Sequence, residues 1–166
     1  GSPTSDNDNG IYFRPESGNI ILVGGGASED DMEWIENPDE FNRNITEKLW
    51  KTQVYRLAKR LPGLQVPNET RGVVDLYDVT EDWIPIYDRS DLNGFYMAVG
   101  TSGNQFKNAA AAGFMMATLI DKCENGHDHD SKPIIVKGRY TGLDLDMGFY
   151  SRLREVNTES SFSVLG

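Results

Sequence analysis

Residues 108–122 are apolar on almost every side of a helical wheel, with five alanines, Phe114, Met115, Met116, Leu119 and Ile120 inside fifteen positions. A helix without a polar face has to be covered all round, so the segment excludes folds that leave it on a solvated surface. It follows a strand-like run at 94–99 and the sequence Gly100-Thr101-Ser102-Gly103-Asn104-Gln105-Phe106-Lys107. Strand, glycine turn and buried helix in that order bring unpaired N–H groups to a helix start, beside glycines that let another molecule approach the backbone. Such a turn suits partial negative charge. The same turn would serve a close strand-to-helix connection in which the glycines answer backbone geometry alone, and residue chemistry leaves the two readings open.

The rest of the chain narrows the setting. Its 166 residues give room for one compact domain, since domains run to about 100–150 residues. A net charge of −10, from 26 acidic and 16 basic residues, argues against a nucleic-acid or anionic-membrane surface. The stretches 20–23 and 109–120 are too short or too interrupted for a membrane span of about 20 apolar residues. Cys123, the only cysteine, can form neither an intramolecular disulfide nor a multi-thiolate zinc site. A soluble, cytoplasmic protein is the expectation, although the opening Gly1-Ser2 leaves native targeting unreadable.

Residues 1–9 contain nothing apolar to bury and are expected to be a flexible arm. Residues 11–16 and 19–23 flank Ser17-Gly18 and predict an antiparallel hairpin, ended by Gly24-Gly25-Gly26. Asn37-Pro38-Asp39-Glu40 supplies an N-cap, a proline at the first helical position and an acid, which predicts a helix from there to Pro62-Gly63 covering one face of a sheet. The run 72–80 alternates, with Val73, Asp75, Tyr77 and Val79 on one face and Val74 and Leu76 on the other, and reads as a strand. A polar loop at 125–132 leads to a last strand at 134–136, followed by a tail, 144–166, with too few signals to place.

Four pieces of the chain together resemble the FAD-dependent oxidoreductases of the D-amino-acid, glycine, sarcosine and dimethylglycine oxidase or dehydrogenase type. They are Gly10-Ile11-Tyr12-Phe13-Arg14-Pro15-Glu16 with Val23-Gly24, Leu57-Ala58-Lys59-Arg60-Leu61-Pro62, Arg71-Gly72 through Tyr77-Asp78-Val79-Thr80 to Pro85-Ile86, and Ala98-Val99-Gly100 through Lys107. Their order and spacing carry the resemblance, which covers most of residues 10–121. It implies an α+β fold: a mixed or antiparallel substrate-domain sheet with its covering helix over 10–92, a strand and buried helix of an FAD-binding domain over 93–122, and loop and tail over 123–166. It also implies that backbone amides of Gly100, Thr101, Ser102, Gly103, Asn104, Gln105, Phe106 and Lys107 face the flavin pyrimidine ring and stabilise negative charge there.

A dinucleotide-binding half would need a G-x-G-x-x-G turn between strand and helix. The one candidate, Gly24-Gly25-Gly26-Ala27-Ser28-Glu29, has Glu29 at the third glycine's place and reads as a strand-ending turn. The Rossmann half is therefore expected to lie outside this chain, as a missing N-terminal partner, and tight FAD binding to need it. Asp75 stands where several sarcosine oxidases carry a flavin-linking cysteine, which implies non-covalent FAD. Asn104 and Gln105 replace a commoner His-Gly, and Ala110 a proline. Leu22 falls where some oxidases have an oxygen-activating lysine, which favours a dehydrogenase. Tyr77 resembles the sarcosine-type residue at a position held by a carboxylate-binding arginine in glycine and D-amino-acid oxidases, and Lys107 aligns with a lysine that holds the substrate carboxylate.

The resemblance thus implies oxidation of the C–N bond of an amino acid or N-methyl amine. The alternative is a non-catalytic subunit or interaction module that keeps the fold without a flavin site. His127-Asp128-His129-Asp130 reads as a solvated turn rather than a metal site, Glu29-Asp30-Asp31 as a solvated loop, and Cys123 as a small packing residue. Trp34, Trp50 and Trp83 are expected as core or interface anchors. The helix at 108–122, without its neighbours, predicts exposed apolar surface or self-association.

Overall fold

The computed structural model describes residues 4–6, 10–25, 32–66, 68–69 and 71–163. It is a mixed helix and strand structure with antiparallel sheets, in two compact units, Gly1–Leu76 and Tyr77–Gly166.

In the first unit β1 (Thr4–Asp6), β2 (Ile11–Glu16) and β3 (Ile20–Gly25) form an antiparallel sheet in that order. The expected hairpin is present, with Glu16 opposite Ile20 and with Gly18 and Asn19 both at positive φ in the turn. Two expectations are corrected. Residues 4–6 pair with 11–13 instead of forming a free arm, because a ladder needs only backbone N–H and C=O groups and no apolar side chain. The glycines do not end β3 either: Gly24 and Gly25 stay paired, opposite Tyr12 and Ile11. The Tyr12 ring lies over the Gly24 Cα, where a Cβ would meet it, so the missing side chain makes room for a cross-strand aromatic. The remaining glycine-turn and acidic-run expectations at 26–31 lie outside the described residues.

The helix of this unit, α1 (Glu47–Arg60), starts nine residues later than an N-cap at Asn37 suggests. Asn37 is spent on an Asx turn, its side chain accepting from the Asp39 N–H at 3.0 Å and its carbonyl from Glu40 at 3.1 Å. Thr46 is the working N-cap, taking the Leu49 N–H on its hydroxyl at 3.4 Å, and Glu47 pairs with Lys51 one turn on. At the other end the Leu61 N–H closes on the Leu57 carbonyl, and Gly63 at positive φ stops the helix as expected. Val54 and Leu57 are buried, and α1 packs on β2 and β3, covering one sheet face.

Residues 71–80 are extended but pair with no strand among the described residues, and Val73 is 90 % exposed. Alternation marks a chain fit for a sheet; only a neighbour makes it a strand, and this segment has none. The second unit opens instead with β4 (Ile86–Arg89) and β5 (Tyr96–Val99), an antiparallel pair with Ile86 opposite Val99. That hairpin spans the boundary expected between residues 92 and 93. After one 3-10 turn at Gln105–Asn108 comes α2 (Ala109–Glu124), and then β6 (Ile135–Lys137) pairs with β7 (Asp144–Asp146). The tail is therefore not structureless, and 134–136 is not the last strand.

Helix α2 buries only Met115 and Leu119, against Tyr87, Ile134, Val136 and Met147. Phe114 is 47 % and Ile120 37 % exposed, so the all-round burial predicted for this helix is not met. Its remaining apolar faces have no cover among the described residues. Cys123 packs at the edge of the same core, where burial raises its thiol pKa, in keeping with a packing role. Of the tryptophans Trp83 is buried, at φ 61°, whereas Trp34 is 73 % exposed.

Candidate functional site

The glycine loop leaves β5 at Val99 and is held by the extended residues that precede β4. Gly100, Ser102 and Gly103 all take positive φ, at 70°, 50° and 73°. A Cβ on Gly100 would run into the Thr80 methyl, and one on Gly103 would lie 2.7–2.8 Å from Tyr77 ring atoms. Both positions therefore need glycine twice over, for conformation and for space. The loop's own donors are largely committed. The Gly100 N–H donates to Asp78 Oδ2 at 2.7 Å, the Thr101 hydroxyl to Asp78 Oδ1 at 2.6 Å, and the Ser102 N–H to the Asp78 carbonyl at 3.1 Å. The Asn104 N–H turns back to the Thr101 carbonyl at 3.1 Å, and the Ser102 hydroxyl to the Gly100 carbonyl.

Partial burial opposes charge on Asp78, but the hydrogen bonds from Thr101 and Gly100 outweigh it and hold the carboxyl below its usual range. The Thr101 N–H is also turned to the Asp78 carboxylate, which leaves the Gly103 N–H without an acceptor among the described residues. The side chains of Asn104 and Gln105 are tied up locally: Gln105 accepts from the Tyr87 hydroxyl and from Asn108 and donates to Asn104. Phe106 is 97 % exposed, and Lys107 sits in the exposed 3-10 turn that leads into α2.

The extended stretch before β4 faces two ways. Thr80 donates to Asp82 and to the Ile84 carbonyl, and Asp82 is 1 % exposed. From the C-terminal segment Arg154 reaches Asp82 at 2.6 and 3.0 Å, and the Asn157 N–H joins it at 3.2 Å. Burial works against this charge, yet Arg154 and the Ile84 and Asn157 amides keep the Asp82 carboxyl well below the ordinary carboxylate range. A parallel clasp ties Arg152 to Asp88, Asp91 and Asp130.

His129 is not in a solvated turn. It is 1 % exposed, its Nδ1 accepts the Ile134 N–H at 3.1 Å, and its Nε2 lies 3.5 Å from Asp88 Oδ1 without hydrogen-bond geometry. The polar composition of 127–130 hid this, because one ring in four residues turns inward. His127 is half-buried; its ring Nε2 meets the Lys132 carbonyl at 2.8 Å, and its backbone N–H donates to the Lys122 carbonyl.

The family model described as "FAD dependent oxidoreductase" matches residues 1–119. The chain belongs to the FAD dependent oxidoreductase family. It is 23% identical over 121 residues to a glycine oxidase of Geobacillus kaustophilus (strain HTA426), an alignment covering 72% of this chain and 30% of that enzyme. The chain thus spans about a third of the length of the curated relative it matches. No solved structure matches it.

The loop fits the cofactor of this FAD dependent oxidoreductase family in its donor set. An electron-rich flavin edge needs an N–H donor on a backbone it can approach closely, and the exposed Gly103 supplies one where glycine geometry removes side-chain bulk. Of the residues singled out in the sequence, Tyr77 and Gly103 are in direct contact, which brings Tyr77 to the loop that carries Lys107. Asp78 escaped the sequence reading. Its signal was an acid directly after Tyr77 and two residues before Thr80.

Proposed function

We propose that this chain is the substrate-side portion, with one flavin-facing loop, of an enzyme that oxidises the C–N bond of an N-methylated or secondary amino acid. Bound FAD would supply the acceptor for a hydride from the carbon next to nitrogen. Loss of the N–H proton then leaves an imine that water hydrolyses, so the substrate loses two electrons and the flavin gains them. The observation that carries the reading is the glycine loop, whose Gly103 N–H is uncommitted while Asp78 occupies Gly100, Thr101 and Ser102. That donor would stabilise negative charge at the pyrimidine edge of reduced flavin, non-covalently, since Asp75 offers no thiol.

Lys107 is proposed to hold the substrate carboxylate, and Tyr77, packed on Gly103, to wall the space above the ring. A phenol gives one donor where an arginine would grip a carboxylate with two, so the charge of Lys107 has to carry recognition. In this reading residues 10–92 belong to the substrate side, and the loop and α2 to the FAD side. The test is Lys107→Met in the protein expressed from its full open reading frame. Substrate binding is expected to weaken by about 1.5–3 kcal/mol, the range for a charged hydrogen bond, with flavin content unchanged. Equal kinetics for Lys107→Met and the parent would remove Lys107 from the site.

A further inference from the structure

We propose that Asp78 is the positioning residue of the glycine loop: it commits the N–H groups of Gly100, Thr101 and Ser102 to itself and thereby makes Gly103 the backbone donor offered to a flavin. The inference rests on the flavin reading for the nature of the ligand and on geometry alone for the role of Asp78.

A four-residue glycine turn has many conformations of similar energy, and glycine is the residue that loses most freedom when one is chosen. Bonds to a single residue make the choice here. Both carboxylate oxygens accept, from Gly100 N–H at 2.7 Å and Thr101 Oγ1 at 2.6 Å, and the Asp78 carbonyl accepts from Ser102 N–H at 3.1 Å. Bonds to an ionised carboxylate are about twice as strong as neutral ones, so the first two anchor the loop's entry. The Thr80 methyl against Gly100 and the Tyr77 ring against Gly103 close the alternatives on either side. Gly100 and Ser102 are buried and Thr101 half-buried, whereas Gly103 is exposed, so the donors split into an inner set held by Asp78 and one, at Gly103, still open to a ligand. Asp78 does not touch the reacting atoms in this scheme; it acts through the loop.

Residue-resolved amide hydrogen exchange on the 166-residue chain tests the role. Asp78→Ala is expected to raise exchange at Gly100 by about tenfold or more, with Tyr87 and Leu119 amides unchanged as controls for folding. Asp78→Asn is expected to restore much of the protection, because its amide oxygen can accept from Gly100 while its NH2 donates to the Thr101 hydroxyl. Millimolar FAD, added as the probe, is expected to shift the Gly103 amide resonance in the parent and not in Asp78→Ala. Unchanged exchange at Gly100 in Asp78→Ala would overturn the positioning role. Raised exchange without any FAD-dependent shift in the parent would leave Asp78 holding the loop but sink both the donor assignment and the flavin reading. Where Asp78→Ala unfolds the chain, Thr101→Val decides: the Asp78 carboxyl should titrate closer to its ordinary range with Gly100 still protected, and an unmoved titration would count against the proposal.

Discussion

At the scale of single residues, the same amino acid is indispensable at one place and a liability at another. Gly103 has positive φ and the Tyr77 ring where its Cβ would stand, whereas a Cβ on Gly113, inside α2, would meet nothing within 4 Å. Gly103→Ala is therefore expected to cost about 1–3 kcal/mol, and Gly113→Ala to stabilise by about 0.5–1 kcal/mol, both read from urea denaturation midpoints. His129 gives a pH signature. Burial lowers its pKa below the ordinary value near 6.5, more than Asp88 and Asp130 raise it. The unfolded chain thus takes the proton first, so stability is full above about pH 6.5 and declines as pH falls below it. Thermal melting should show this decline between about pH 6.5 and 5, and His129→Gln should flatten it. Asp82 acts in the same direction at lower pH, its contribution being present above about pH 4 and lost as its carboxylate is protonated. Arg154→Ala, which leaves that carboxylate buried without its cation, is expected to cost about 3 kcal/mol at neutral pH.

Among the elements, the hairpin around Gly18, the C-terminal stop of α1 at Gly63 and the loop-to-helix passage after Gly103 were legible in the sequence. In each the signal is a local backbone requirement that few residues meet. What was not legible depended on partners. Residues 72–80 alternate like a strand, but pairing is a property of two segments, and the polar groups of Asp78 and Thr80 went to the glycine loop and to the turn at Asp82 and Ile84 instead. The start of α1 was misplaced because Asn37-Pro38-Asp39-Glu40 makes an Asx turn as readily as a helix cap. Thr46→Ala should then cost about 1 kcal/mol, whereas Pro38→Ala should stay within about 0.5 kcal/mol, again by denaturation. A larger loss at Pro38 would place the helix start where the sequence suggested. The C-terminal arginines were unreadable for a different reason: Arg152 and Arg154 find acids 22 to 72 residues away, and no local pattern encodes that.

For the whole molecule, the family is established over residues 1–119, and the site proposed within it is the loop with Tyr77 and Lys107. Phe106, Phe114 and Ile120 leave an apolar surface along the loop and α2. A chain of this kind should bind an apolar dye or associate with rising concentration in sedimentation, and a strictly monomeric, dye-silent chain would contradict that exposure. The 166-residue chain should not hold FAD with submicromolar affinity, because the pyrophosphate and adenosine contacts of a Rossmann unit have no counterpart among its described residues. The central claim, that these residues serve amine oxidation by flavin, is tested most directly by anaerobic titration of the protein expressed from its full open reading frame with sarcosine, following flavin absorbance. The account predicts a flavin spectrum in the purified protein and its bleaching by the substrate. A flavin-free protein, or a bound flavin that neither sarcosine nor other N-methylated or secondary amino acids reduce, would contradict it.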